Sequence, residues 1–352
     1  KNALIPTQLG NDKIKWESTV QKDLGLDFSF MRGRLGGTFG YYHKVTDGTL
    51  LNMTPAPSSS YSTVVFNIAK IRNQGLEFDI HGDFIRKKDF RWTGNLNISR
   101  NVSKVLDING GPFSDPNDRD AMNLGTSVVK EGEPLGLLYG RVATGIIKTQ
   151  AQLEAAREEF SLWTIFDPYL NLGDIAYEYE DGFWKEDVIG HATPDFFGGY
   201  TNTINWNRFT LTALFTFSYG NDLIYQKDVS DSGMSSLANR GTRVLNHYSE
   251  DNTSSNRPRS MWATTYMLSS LNVYDASYLK LKTLSLSYNL PESICRKVRI
   301  KSASVYGTAT NVFTITSYPG PDPEVSDDPT SVIGGGRDAV SYTHLRAHET
   351  EA

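Results

Sequence analysis

The sequence has one cysteine, no long apolar run and little excess of charge. The single cysteine, Cys295, excludes an internal disulfide framework and a cysteine-based zinc site. No apolar run approaches the ~20 residues of a membrane-spanning helix. A membrane barrel stays compatible with that composition, because its strands are apolar on one face only. The formal net charge of -5 gives no indication of a nucleic-acid partner.

The motifs of common catalytic centres are missing as well. The chain contains no Walker loop, no GxGxxG and no HExxH sequence, and its six histidines are scattered. No catalytic residue is therefore predicted, and we interpret the chain as a protein without enzymatic activity.

What the chain does have is a regular β pattern. Aromatic residues make up 12% of it, and the clearest element is a hairpin over residues 73–99. From Phe90 to Ser99 apolar and polar side chains alternate, which is the period of a strand. The short charged segment Arg86–Asp89 joins the two halves. Each half is about ten residues long, the length that a tilted strand needs to cross a bilayer.

The same pattern recurs along the chain. Further strand pairs are predicted at residues 16–30 with 35–42, 197–206 with 209–219, and 278–290 with 298–313. Short turns join the members of each pair, and long connections separate the pairs. We therefore predict an all-β fold that is part of a large antiparallel transmembrane β-barrel, with short periplasmic turns and long extracellular loops. Aromatic residues near strand ends fit interfacial girdles, namely Trp92, Trp206, Tyr219 and Tyr288.

A soluble β domain produces the same alternation. A secreted or surface β-rich binding or adhesion protein without transport activity is therefore the second interpretation. In that interpretation the aromatic residues belong to a soluble core.

The long connections are predicted to be mostly irregular, with one helix. Thr149 is a plausible N-cap, and Gln152 stands at the capping-box position before a stretch of helix formers that reaches Phe160. Residues 137–147 are a weaker candidate for a strand. The apolar parity slips between Leu281 and Leu284, which predicts a β-bulge.

One cluster of residue types points to binding. Between Ser161 and Asp187, aromatic residues alternate with carboxylates in a long polar connection. Aromatic residues in such a segment either pack beneath it or meet a partner. The candidate ligand- or partner-binding residues are Trp163, Tyr169, Tyr177, Tyr179 and Trp184, and packing within the loop is the alternative.

Several segments resemble one family. They are Ile14-Lys15-Trp16-Glu17-Ser18-Thr19, residues 67–77 (NIAKIRNQGLE), Pro194-Asp195-Phe196-Phe197-Gly198-Gly199, residues 277–282 (SYLKLK), and residues 311–314 (NVFT) with Asp322-Pro323-Glu324. In this order, from Lys13 to Glu324, the chain resembles the C-terminal part of the β-barrel in SusC/RagA-type TonB-dependent outer-membrane transporters.

The resemblance implies import of glycans (oligosaccharides) or peptides across the outer membrane of a Gram-negative cell. It implies a SusD-like surface lipoprotein as partner, the TonB complex acting through an N-terminal region, and contact with outer-membrane lipid. The plug domain and TonB box of the family have no counterpart in the chain. Residues 1–338 are interpreted as the C-terminal portion of the receptor barrel.

Two further expectations concern the chain ends. Residues 339–352 resemble translated sequencing-adapter sequence and are interpreted as a non-native tail. No apolar h-region of a signal peptide follows Lys1, and the resemblance favours an N-terminus that lies further upstream.

The resemblance also raises calcium as a cofactor. Family members often carry a calcium-like loop after a Gly-Asp-Ile sequence. Here Gly173-Asp174-Ile175 is followed by the shorter segment 178–182, which lacks alternating oxygen ligands, so no cofactor is predicted. A second acidic cluster, Asp115, Asn117, Asp118 and Asp120, lacks the EF-hand spacing, and we favour a solvated turn there over a calcium site.

Overall fold

The structure is a computed structural model of the chain. It describes residues 8–53, 61, 63–108, 120–159, 170–232, 240–260, 267–297, 299–326 and 335–338. None of the helices within these ranges is long and apolar enough to cross a bilayer.

Eight long strands form one antiparallel sheet, in which each strand pairs with its neighbours in sequence. The short strand Gln8–Leu9 adds to it in parallel at Thr63 and Val64. The long strands are β1 (Ser18–Phe30), β2 (Leu35–Met53), β3 (Thr63–Arg86), β4 (Phe90–Asp107), β5 (Phe196–Trp206), β6 (Phe209–Tyr219), β7 (Tyr278–Asn289) and β8 (Ser304–Thr316).

The strand register separates an apolar face from a polar face across all eight strands. One row of paired residues on the first face reads Phe28, Gly37, Ile80, Leu96, Tyr200, Phe215, Leu281 and Phe313. The adjacent row on the opposite face reads Asp27, Thr38, Asp79, Asn97, Gly199, Thr216, Lys280 and Thr314. A period of two in every strand, held in register by the pairing, therefore makes one continuous apolar surface.

The aromatic residues predicted for girdles lie at the two ends of this apolar face. At the short-turn end Phe209 packs against Trp206 and Tyr288, with ring centroids 6.4 and 4.7 Å apart. At the opposite end Tyr219 stacks on Phe196 at 5.1 Å. The 11 residues of β5 between these ends match the length of a tilted strand that crosses a bilayer.

Three strands are longer than predicted. β4 continues past its predicted end at Ser99 to Asp107. Residues 43–72, expected to lack regular structure, extend β2 to Met53 and start β3 at Thr63. Register shifts interrupt the pairing of β2 with β3 between Thr46 and Leu50. A β-bulge adds one residue to a strand, so the alternation of apolar and polar residues shifts by one position there. A strand with a bulge is therefore not recognised by its alternation.

The connection between β7 and β8 also differs from the prediction. The expected turn at Pro291 is followed by helix α3 (Glu292–Lys297), and β8 begins at Ser304 instead of Val298. The carbonyl of Pro291 accepts bonds from the amides of Ile294 and Cys295, which starts the helix. The predicted bulge in β7 is confirmed by a register shift between Leu281 and Thr283.

The long connections, expected to be mostly irregular, hold short strands and helices at the end of the sheet opposite the short turns; we call them the loop cap. Their short strands are 121–123, 127–130, 137–141, 143–146, 175–177, 179–180, 183–184, 186–191, 222–225, 273–275 and 337–338. Their α-helices are α1 (Gln150–Glu159) and α2 (Gln226–Ser232). Short strands of this kind carry too few residues for periodicity to reveal them.

The main apolar core lies where the loop cap meets the sheet. Ile71 of β3 and Val105 of β4 pair on the polar face of the sheet, beyond its apolar band. Met122 and Val129 of the first cap hairpin are buried against this pair. The loop cap is therefore anchored to the polar face of the sheet, at the end opposite the short turns.

Candidate functional site

Helix α1 forms one wall of the candidate site, and its start is defined by a complete capping box. The amide of Gln152 donates to the Thr149 hydroxyl at 3.2 Å, and the amide of Thr149 donates to the Gln152 side chain at 3.1 Å. Leu153 is the buried anchor of the helix. The predicted N-cap and capping-box residues are thus confirmed, and the helix ends at Glu159.

A two-strand hairpin forms the opposite wall. Tyr179 pairs with Trp184, and Glu180 pairs with Phe183. The turn between them needs left-handed backbone at two positions, and Asp181 and Gly182 have φ angles of 52° and 81°. An Asp-Gly pair is well suited to such a turn, because both residues tolerate positive φ.

Trp184 is held in place by a cation. The Arg141 guanidinium carbon lies 4.1 Å from the centre of its ring. Arg141 also lies 3.7 Å from the Glu186 carboxylate, and that pair orients the guanidinium. Lys185 closes the base of the hairpin with a bond to Glu178 of 3.1 Å. Stacked and ion-paired side chains of this kind present a pre-ordered surface.

Helix and hairpin enclose an open cavity of about 560 Å³, which we call the α1 groove. The size is within the ~300–1,000 Å³ of small-molecule sites. Its lining is mixed: small residues of α1, two tyrosines and several charged side chains. The lining residues are Thr144, Gly145, Ile146, Gln152, Ala155, Ala156, Glu159, Ala176, Tyr177, Glu178, Tyr179, Glu180 and Lys185.

Three of the five predicted binding residues are brought together here. Tyr177 and Tyr179 line the groove, and Trp184 pairs with Tyr179 in the hairpin. Trp163 and Tyr169 lie outside the described residues. Burial raises the pKa of Tyr177 to about 12, a shift that the nearby Arg141 charge partly offsets, so its hydroxyl stays protonated at neutral pH.

Asp174, which stood in the Gly-Asp-Ile sequence, has a structural role. Its carboxylate accepts bonds from Arg259 Nε at 2.7 Å and Nη2 at 3.0 Å, and from the amide of Asn171 at 2.7 Å. Within the described ranges no three His, Cys, Asp or Glu side chains are arranged to hold a metal ion. Asp115, Asn117 and Asp118 of the other acidic cluster lie outside those ranges.

A second polar cluster was missed from the sequence. Lys280 of β7 is 1% exposed, and its ammonium bonds Asp322 at 2.9 Å and Glu324 at 2.6 Å. Glu324 accepts further bonds from Lys282 and Tyr278. The sequence resemblance included all of these residues, yet no spacing signal joins positions more than 40 apart.

The comparisons place the chain among receptors of one kind. A family model described as "TonB dependent receptor-like, beta-barrel" matches residues 3–213. TonB-dependent receptor P3 of Formosa agariphila is 32% identical over 355 residues, covering 98% of this chain and 35% of that protein. TonB-dependent receptor SusC of Bacteroides thetaiotaomicron is 26% identical over 336 residues, covering 90% of this chain and 30% of that protein.

The fold is similar to that of a solved transporter. The structure of the RagAB peptide transporter superposes with a TM-score of 0.72 at 21% identity, covering 94% of this chain and 34% of the matched chain. The chain spans about a third of the length of the curated relatives named above.

Proposed function

Because this chain belongs to the TonB-dependent receptor β-barrel family, we propose that it forms part of the barrel of a SusC-type importer in the outer membrane of a Gram-negative cell. The cargo is an oligosaccharide or a peptide. A SusD-like surface lipoprotein is the proposed partner on the loop-cap side, and the TonB complex drives import through a part of the receptor outside these strands.

The observation that carries the proposal is the continuous apolar face of the sheet. A soluble sandwich would bury that face against a second sheet. In the described sheet this face stays exposed, since Phe78 of β3 and Leu286 of β7 are 41% and 50% exposed. Lipid is the environment that suits such a surface, while the polar face opposite lines a lumen. The alternative of a soluble adhesion protein leaves this surface in water.

The edges of the sheet support a larger barrel. Within the described part of the chain, β1 pairs only with β2, and β8 pairs only with β7. An unpaired strand edge cannot persist in lipid, because its amides and carbonyls find no partner there. Further strands of the receptor would close the barrel across both edges.

The α1 groove supports the proposed cargo and partner side. It lies in the loop cap, at the end where long extracellular loops belong. Tyrosine and tryptophan side chains bury a large area for little loss of rotamer freedom and stack on flat sugar faces. The name of the RagAB peptide transporter, whose fold is similar, suggests a peptide cargo. An oligosaccharide cargo is suggested by the resemblance of the sequence to SusC/RagA-type transporters.

The test is an uptake assay with cells that carry the full-length receptor and the proposed SusD-like lipoprotein. We expect the receptor to fractionate with the outer membrane, to be extracted by detergent only, and to import labelled oligosaccharides or peptides. A matched strain that lacks the TonB complex should bind the cargo without importing it. Release of the receptor from cells by salt alone would favour the surface adhesion protein instead.

A further inference from the structure

A second cavity in the loop cap lies in the connection between β6 and β7. It measures about 380 Å³ and shares no lining residue with the α1 groove. Six residues line it: Arg243, Asn246, Ser254, Ser255, Asn256 and Arg257. None of these six is acidic, and two are arginines. We call it the Arg243 cavity.

Two amide groups in this lining are oriented by their neighbours. The Asn256 side-chain oxygen accepts a bond of 2.7 Å from the Lys148 ammonium, which can only donate. The Asn246 side-chain oxygen accepts from Asn252 Nδ2 at 2.8 Å, and that nitrogen also donates to the carbonyl of His247. The NH₂ groups of Asn246 and Asn256 are consequently left as donors, without an acceptor among the described residues.

Arg243 adds positive charge, and its Nη2 donates to the Tyr274 hydroxyl at 3.4 Å. Its Nη1 is buried and has no hydrogen-bond acceptor in the described chain. The nearest carboxylate, Asp228, lies 3.6 Å away and is already bonded by Arg257 at 2.6 Å and by the Tyr274 hydroxyl at 2.7 Å. Because Nη1 has almost no accessible surface, Arg243 acts on a ligand in the cavity through its charge and not through a direct bond from this nitrogen.

The charged side chains around the Arg243 cavity favour an anionic ligand. Arg243 and Arg257 line the cavity, and both contact the Asp228 carboxylate. The Lys148 ammonium, which bonds Asn256, adds a third positive charge. Two free amide donors and a surplus of positive charge match the acceptor-only carboxylate, which offers about four lone-pair sites.

We propose that the Arg243 cavity binds a carboxylate of the imported molecule, carried by a uronic acid of an oligosaccharide or by an acidic side chain of a peptide. The inference rests on the proposed import function and adds a preference for acidic cargo. In it Arg243 supplies the charge, and Asn246 and Asn256 direct the carboxylate oxygens.

Binding to the purified full-length receptor in detergent tests the assignment without requiring transport. The probes are trigalacturonate against neutral maltotriose, and triglutamate against triglutamine. We expect one acidic probe to bind at least about tenfold more tightly than its neutral counterpart, the scale of one charge-assisted hydrogen bond. The acidic probe that shows this preference identifies the source of the carboxylate.

Two variants and a matched control make the test specific. Arg243→Gln should remove the preference, while Asp228 keeps Arg257 and Tyr274 and the cap stays folded. Asn256→Asp keeps the oxygen that accepts from Lys148 but replaces a donor with a negative charge, and it should abolish acidic binding. The control Arg296→Gln makes the same charge change on exposed α3, at the short-turn end, and should leave the preference intact.

The outcomes separate this inference from the proposed function. Equal binding of acidic and neutral probes by the wild-type receptor, or a preference that survives in both cavity variants, overturns the inference while import of neutral cargo stands. An acidic preference that depends on Arg243, in a receptor that imports nothing, supports the cavity and overturns the importer.

Discussion

At the scale of single residues, the two faces of the sheet should tolerate charge differently. Leu96 lies in the apolar row and Asn95 lies on the opposite face. Leu96→Arg or Phe215→Arg in the full-length receptor should destabilise it by about 2–4 kcal/mol, because a lipid-facing arginine near the bilayer midplane loses its hydration. Urea unfolding of the receptor in lipid vesicles measures this free energy.

The matched control is Asn95→Arg, which introduces the same side chain next to a cavity on the polar face. It should change the free energy of unfolding by less than about 1 kcal/mol. Thr216, on the same face, is a poorer control, because it pairs with the buried Lys280. Equal losses for Leu96→Arg and Asn95→Arg would contradict the lipid assignment.

Also at this scale, Lys280 should hold residues 317–326 against the sheet. Burial by itself would raise the pKa of Glu324, but bonds from Lys280, Lys282 and Tyr278 lower it to about 2, against an ordinary value of 4.5. A lowered pKa means that the ionised form stabilises the folded state. That contribution is fully present above pH 4.5 and is lost as the pH falls toward 2.

Hydrogen exchange of the segment 317–326 measures this attachment. In the wild-type receptor we expect protection at pH 7 that declines only below about pH 4.5. Lys280→Met should expose the segment already at pH 7, since two carboxylates lose their shared cation. Lys282→Met, at a more exposed lysine, should have the smaller effect, and identical exchange in the two variants would argue against a special role for Lys280.

At the scale of elements, the hairpin of the α1 groove should act as a docking element rather than as part of the barrel. Trp184→Ala removes the ring on which Arg141 stacks. We expect weaker docking of the lipoprotein or weaker uptake, by about 1–3 kcal/mol, with unchanged barrel assembly. The same loss is predicted for Trp163→Ala, although Trp163 lies outside the described residues.

Co-purification of the lipoprotein and uptake assays measure the effect, and heat-modifiability on a gel reports assembly of the barrel. Leu245→Ala is the control, because Leu245 is a strongly exposed cap residue that lines neither cavity. If docking and uptake stayed normal in both tryptophan variants, the aromatic residues would be packing within the loop.

At the scale of the whole molecule, the 352-residue chain expressed alone should fail to insert as a monomeric barrel. Strands β1 and β8 each lack a second partner in the described sheet, and their side chains are almost all exposed. Unpaired edges invite pairing with other chains and are not tolerated in lipid. Refolding into vesicles, followed by a gel-shift assay and size analysis, should show aggregates, and a stable heat-modifiable monomer would disprove the prediction.

The sequence alone determined the strands whose alternation is uninterrupted. The start of β4 and the β5–β6 hairpin were predicted to within one residue, because a period of two identifies them. The capping box of α1 was equally readable, since it depends on residues three positions apart. Both signals are local, and local signals survive in a single sequence.

Tertiary structure decided everything that joins distant positions. Register shifts between β2 and β3 interrupt the alternation, so the ends of these strands near the loop cap were not predicted. The short strands of the loop cap form because neighbouring segments pair with them. Lys280 meets Asp322 and Glu324 across 42 and 44 residues, and Lys148 supports Asn256 across 108. Periodicity reports which face a residue occupies. Which distant residues it contacts depends on the tertiary arrangement of the sheet and the loop cap, which a single sequence does not reveal.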